Sequence, residues 1–65
     1  MTFGKRLREL RKEKGLHQSQ LASKLNVNQN AISRWESDKN EPSIEMIKQI
    51  AKILECDPNY LLVWD

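Results

Sequence analysis

Among 65 residues there is one cysteine, one histidine, two glycines and two prolines, and aromatic side chains make up only 6%. The lone Cys56 rules out an intramolecular disulfide and fits a reducing compartment. His17 and Cys56, far apart in the chain, cannot supply the ligands of a zinc site. With few Gly and Pro, apolar residues spread throughout and charge that is high but mixed, the composition is that of a folded domain rather than a disordered tail. No apolar run approaches the roughly 20 residues of a membrane span. Charges interrupt residues 1–16 at every second or third position, unlike a signal peptide. The expectation is a cytoplasmic chain with no membrane partner. There is also no second His, no Ser/His/Asp set and no phosphate-cradling glycine loop, and the paired acids follow helix faces rather than a cleft. These absences argue against an enzyme, and no cofactor, metal or small-molecule ligand is evident.

What is present is enough for one small domain, residues 1–65, with a thin stability margin at this size. The net charge of +2 is modest, but it is unevenly distributed. Residues 1–40 hold nine Lys/Arg against four Asp/Glu, a net +5, whereas residues 41–65 hold two against five, a net −3. One face therefore suits a polyanion and the other does not, although a solvated first helix would give the same totals.

The apolar spacing predicts five helices and no strand. Phe3, Leu7 and Leu10 recur along one face of a helix over 2–14, with Thr2 as N-cap and Gly15 as terminator. Arg6, Arg8, Lys12 and Lys14 are placed outward and Arg11 on the flank. A second helix covers 18–25, carrying Leu21, Ala22 and Leu25, and Asn26 suits the bend that follows because Asn tolerates the left-handed conformation. The third runs from the cap Asn28 to about Glu36. After the polar loop 37–42, a fourth covers 43–54 with Ile44, Ile47, Ile50, Ala51 and Leu54. Asp57-Pro58 is a start signal for a short fifth helix to about Val63. Cys56 takes the place of a small buried hydrophobe.

The stretch 18–37, QSQLASKLNVNQNAISRWES, holds the chemistry. With Leu21, Leu25, Ile32 and Trp35 turned inward, the third helix shows Gln29, Asn30, Ser33 and Arg34 outward. Gln and Asn suit adenine N6 and N7, and Arg suits guanine O6 and N7, in a major groove that admits a helix. The competing reading is an ordinary solvated face, but such faces usually carry Glu and Lys, and this one carries neither. Gln18 opens the second helix, where free N–H groups and the helix dipole favour a phosphate. Lys39 and Asn40 are placed to clamp the far flank of the groove. Asn28 is a further phosphate candidate, and His17 and Ser37 are weaker ones.

RLRELRKEKGL, QSQLASKLNVNQNAISRWES, EPSIEMIKQIAKIL and DPNYLL together resemble the lambda repressor-like, Cro/C1-type (XRE) helix-turn-helix family over about residues 3–62. The resemblance implies a compact all-α domain of five helices with a helix-turn-helix at about 18–37, and a sequence-specific regulator of transcription, a phage or bacterial repressor associated with the nucleoid. Asn26 stands where the family usually has Gly, and His17 where it often has Ser or Thr. The resemblance also points to Gln29, Asn30, Ser33 and Arg34 as base contacts and to Gln18 on the DNA backbone. It further implies an ion pair between Arg11 and Glu36 that turns Arg11 toward a phosphate.

The end of the chain, NYLLVWD, carries more apolar surface than a short helix can bury. Tyr60, Val63 and Trp64 are therefore expected to meet a partner. A second copy fits best, because one recognition helix reads too few base pairs for useful specificity, whereas a two-fold dimer reads a palindromic operator. Two alternatives stay open: Trp64 folding back on its own domain, and an antitoxin or adaptor whose main partner is a protein.

Overall fold

The computed structural model describes residues 2–62 and consists of five helices: α1 Phe3–Glu13, α2 Gln18–Leu25, α3 Gln29–Glu36, α4 Ile44–Leu54 and α5 Pro58–Leu61. Each start but that of α2 is set by a side-chain oxygen that takes an otherwise orphaned backbone N–H. Thr2 accepts from Lys5, Asn28 from Ala31, Ser43 from Met46 and Asp57 from Asn59, with Pro58 in the first turn of α5. Ser43 thus caps α4 rather than opening it. At α2, Gln20 reaches back to accept the His17 N–H at 2.7 Å, so a Gln two positions into the helix makes up for the poor cap that His17 offers.

The ends of α1 to α4 share one solution. A single residue turns left-handed after each helix, at Gly15, Asn26, Asp38 and Glu55, with φ between 57° and 69°. In every case its N–H and the next one return to the last carbonyls: Gly15 to Lys12 and Leu16 to Arg11, Asn26 to Ser23 and Val27 to Ala22, Asp38 to Trp35 and Lys39 to Arg34, Glu55 to Lys52 and Cys56 to Ala51. This is the Schellman arrangement.

Leu7, Leu21, Ile32, Ile50, Leu54 and Leu61 are fully buried, and Ala22, Leu25, Trp35, Ile47 and Ala51 complete the core. The third helix lies between α1 and α2, while α4 packs on α5 and α2. Two residues depart from the periodic reading. Ile44, at the first position of α4, overshoots the core and is 58% exposed. Arg6, expected outward, is only 7% exposed, and its guanidinium lies 5.4 Å from the centroid of the Tyr60 ring. The fifth helix, which ends at Leu61, supplies the cover that a helical wheel of α1 alone cannot foresee. Among the described residues no helix is long and apolar enough to cross a membrane.

Candidate nucleic-acid interface

The interface begins at a buried carboxylate. Glu36 closes α3 and is 9% exposed, with Arg11 of α1 against it. Arg11 donates through Nε to Glu36 Oε2 at 2.6 Å and through Nη2 to Oε1 at 3.0 Å, a two-pronged geometry. Its Nη1 donates to the Leu16 carbonyl at 2.7 Å. The ion pair is therefore deeper than a bridge between surface charges. Arg11 is committed to the protein by three of its five N–H donors, which leaves two for an external anion.

From that anchor the polarity propagates outward. Gln18 Nε2 donates to Glu36 Oε1 at 3.1 Å, and Gln29 Nε2 donates to Gln18 Oε1 at 3.4 Å. A carboxylate can only accept, so the end of the Gln18 amide that faces it must be the NH2. The Gln18 oxygen then points at Gln29 and selects its NH2 in turn. Gln29 keeps its own oxygen and one N–H for a partner outside the protein.

Around this chain lies an open cleft of about 320 Å³ lined by Arg8, Arg11, Gln18, Ser33, Glu36 and Ser37. Arg8 is the residue that the sequence reading missed. A helical wheel shows it as one of several outward cations, and only the docking of α1 on α3 turns it into a wall of the cleft. Ser37, at the same mouth, donates its hydroxyl to the Ser33 carbonyl at 2.8 Å.

The expected contact residues divide into three groups. Gln29, Asn30, Ser33 and Arg34 are all exposed on α3, while Ile32 and Trp35 of the same helix are buried. Gln18 lies half-buried at the first position of α2, with His17 and Asn28 exposed beside it as the two N-caps and Lys39 and Asn40 exposed in the loop after α3. The side-chain oxygen of Asn28 already caps the Ala31 N–H at 3.0 Å, which leaves only its NH2 for anything else. Tyr60, 45% exposed, sits apart from this face over Arg6. Val63 and Trp64, expected beside it in a dimer contact, lie outside the described residues.

Two ionisable groups away from the cleft are displaced from their ordinary values. The Lys14 ammonium, by hydrogen bond and by charge, holds Glu55 below the usual carboxylate range. Burial, and then the charge of Asp57, push the Cys56 thiol up, so it is a poor nucleophile at neutral pH. Neither group touches the cleft.

The helix-turn-helix family model matches residues 7–61. The transcriptional activator BcrR of Enterococcus faecalis is 44% identical over 95% of this chain, and the repressor protein C2 of Salmonella phage P22 is 39% identical over 97%. The chain spans only 30% and 29% of the lengths of those two proteins, and about half of other curated relatives. The structure of the P22 c2 repressor with a synthetic operator superposes with a TM-score of 0.93 at 37% identity, covering 100% of this chain and 98% of that one. SinR of Bacillus subtilis, solved in complex with DNA, gives 0.89 at 32% identity, covering 95% and 100%.

Proposed function

Since this chain belongs to the helix-turn-helix family of Cro/C1-type regulators, we propose that it binds double-stranded DNA sequence-specifically and regulates transcription by occupying an operator. The observation that carries this reading is the exposed strip Gln29, Asn30, Ser33 and Arg34 on a helix whose other side is locked into the core. A helix so held can enter a major groove without its own fold competing for those side chains. Gln29, with one acceptor and one donor left over, matches the N6 donor and N7 acceptor of adenine. Arg34 suits guanine, while Asn30 and Ser33 extend the readout along the groove.

Phosphates are held from both flanks. On one side are the Gln18 amide group with the free N–H groups opening α2, and Arg8 with the two spare donors of Arg11. On the other side are Lys39 and Asn40, while His17 and Asn28 lie at the margin beside Gln18, and Ser37 at the mouth of the cleft. A second copy, meeting the first through Tyr60, Val63 and Trp64, would place two such helices about one turn of the duplex apart. Activity of this kind belongs to the cytoplasm and the nucleoid.

Selection from a random duplex pool, followed by salt titration of the enriched sequence, tests the reading. Affinity should fall by roughly 0.9 in log K per decade of salt for each phosphate neutralised. Gln29→Ala and Arg34→Ala should lose discrimination at one base pair each, about 1–3 kcal/mol. A shallow salt slope with equal affinity for every duplex would remove the proposal.

A further inference from the structure

One acid stands next to Lys39 in the loop proposed to hold a phosphate, where an acid should be unwelcome. Asp38 follows the recognition helix α3 and directly precedes Lys39, at the left-handed position, φ 60°. Glycine takes that conformation freely and an L side chain does not. The aspartate does something there that glycine cannot. Its Oδ2 accepts the Thr2 hydroxyl at 2.6 Å and its Oδ1 accepts the Gly4 N–H at 2.9 Å. Both oxygens thus face the first turn of α1, where the helix dipole favours a negative charge. The seat is close: a Cβ on Gly4 would lie 2.5 Å from the Glu36 carbonyl oxygen and 2.6 Å from that of Trp35.

We propose that Asp38 is a positioning residue for the DNA backbone: latched to the first turn of α1, its carboxylate fixes the turn from which Lys39 and Asn40 reach a phosphate. The inference rests on the DNA-binding reading above and adds to it a residue that touches no DNA. The carboxylate anchors its own end of the turn, and the Lys39 N–H, bonded to the Arg34 carbonyl at 3.0 Å, ties down the next residue. Freed from α1, the loop 37–42 keeps its backbone bonds to α3 but loses its anchor to the rest of the domain, and Lys39 must be ordered at the moment of binding.

The sign of one substitution tests this. Charge repulsion alone predicts that Asp38→Gly tightens DNA binding, because an acid is removed and glycine fits the turn. The latch predicts the opposite. With the 65-residue chain and the duplex it enriches from a random pool, Asp38→Gly should weaken binding about 5-fold and flatten the salt slope by roughly one phosphate, ~0.9 in log K per decade. It should cost nothing further when Lys39 is already alanine. Asp38→Asn, which keeps an acceptor without the charge, should lie between Asp38→Gly and the wild type. Circular dichroism melts confirm that each variant is folded at the assay temperature. Unchanged or tighter binding by Asp38→Gly, or additive losses with Lys39→Ala, would overturn the inference and leave the DNA-binding reading intact. Absence of salt-dependent binding by the wild type would overturn both, and is recognisable because it needs no variant.

Discussion

The residue on which most depends is Glu36. It holds Arg11 with both oxygens and orients Gln18 with one of them, within a buried environment. Glu36→Ala leaves the Arg11 guanidinium buried without its counter-charge, which should cost about 3–5 kcal/mol. A 65-residue domain has about 3–10 kcal/mol in total, so urea denaturation should show the variant losing a third or more of its stability. Near-wild-type stability would mean that Arg11 swings out to solvent. Asn26 offers a smaller test. At φ 62°, Asn26→Ala should lose about 1 kcal/mol in the left-handed region, whereas Asn26→Gly should not, read as the shift in urea midpoint at constant m. Both residues were legible in the sequence for different reasons. Asn26 betrays itself locally as a turn former between two apolar-spaced segments, and Glu36 only through the family resemblance. Arg6, Arg8 and Asp38 were not legible, because what each does is decided by another element: α5 covers Arg6, α3 turns Arg8 into a cleft wall, and α1 supplies donors to Asp38.

At the scale of elements, the helix starts were readable because a cap is a property of three or four consecutive residues. The expected extents of 2–14 and 43–54 contracted by one residue at the ends, since Thr2, Lys14 and Ser43 flank their helices instead of joining them. Ile44 shows the limit of periodicity: the apolar stripe begins one turn before there is a core to meet it. Close approach of helices is the harder thing to foresee. Gly4, in the first turn of α1, is where that helix touches the last carbonyls of α3. Gly4→Ala, favourable for an isolated helix, should instead destabilise the domain by about 1–3 kcal/mol through overpacking, measured by thermal or urea unfolding. A second tie between elements has a pH signature. Lys14 of the α1 terminus pairs with Glu55 beyond α4, and holds its carboxyl low. Because the folded value lies below the unfolded one, the stabilisation is present above the ordinary glutamate value of about 4.3 and disappears as pH falls beneath it. The melting-temperature deficit of Glu55→Gln should therefore be small at neutral pH, as suits an exposed pair, and shrink as the pH is lowered below the ordinary glutamate value.

For the molecule as a whole, the uneven charge of the sequence acquires a direction. The basic first half provides α1 to α3 and every residue lining the cleft, whereas the second half provides α4, with Lys48 and Lys52 against Glu45, and α5, with no charge; its acidic excess lies at Glu41, Glu55, Asp57 and Asp65. The face proposed to meet a polyanion is therefore the one that carries the cleft and the strip of α3. The measurement that tests this most directly is a titration of the isotopically labelled chain with its enriched duplex, followed residue by residue by nuclear magnetic resonance. The largest shifts are expected at Gln18, at Gln29 to Arg34 and at Lys39 and Asn40, with Lys48 and Lys52 of α4 unmoved. Shifts centred on α4 and α5, with the side chains of Asn30 and Arg34 unperturbed, would contradict it.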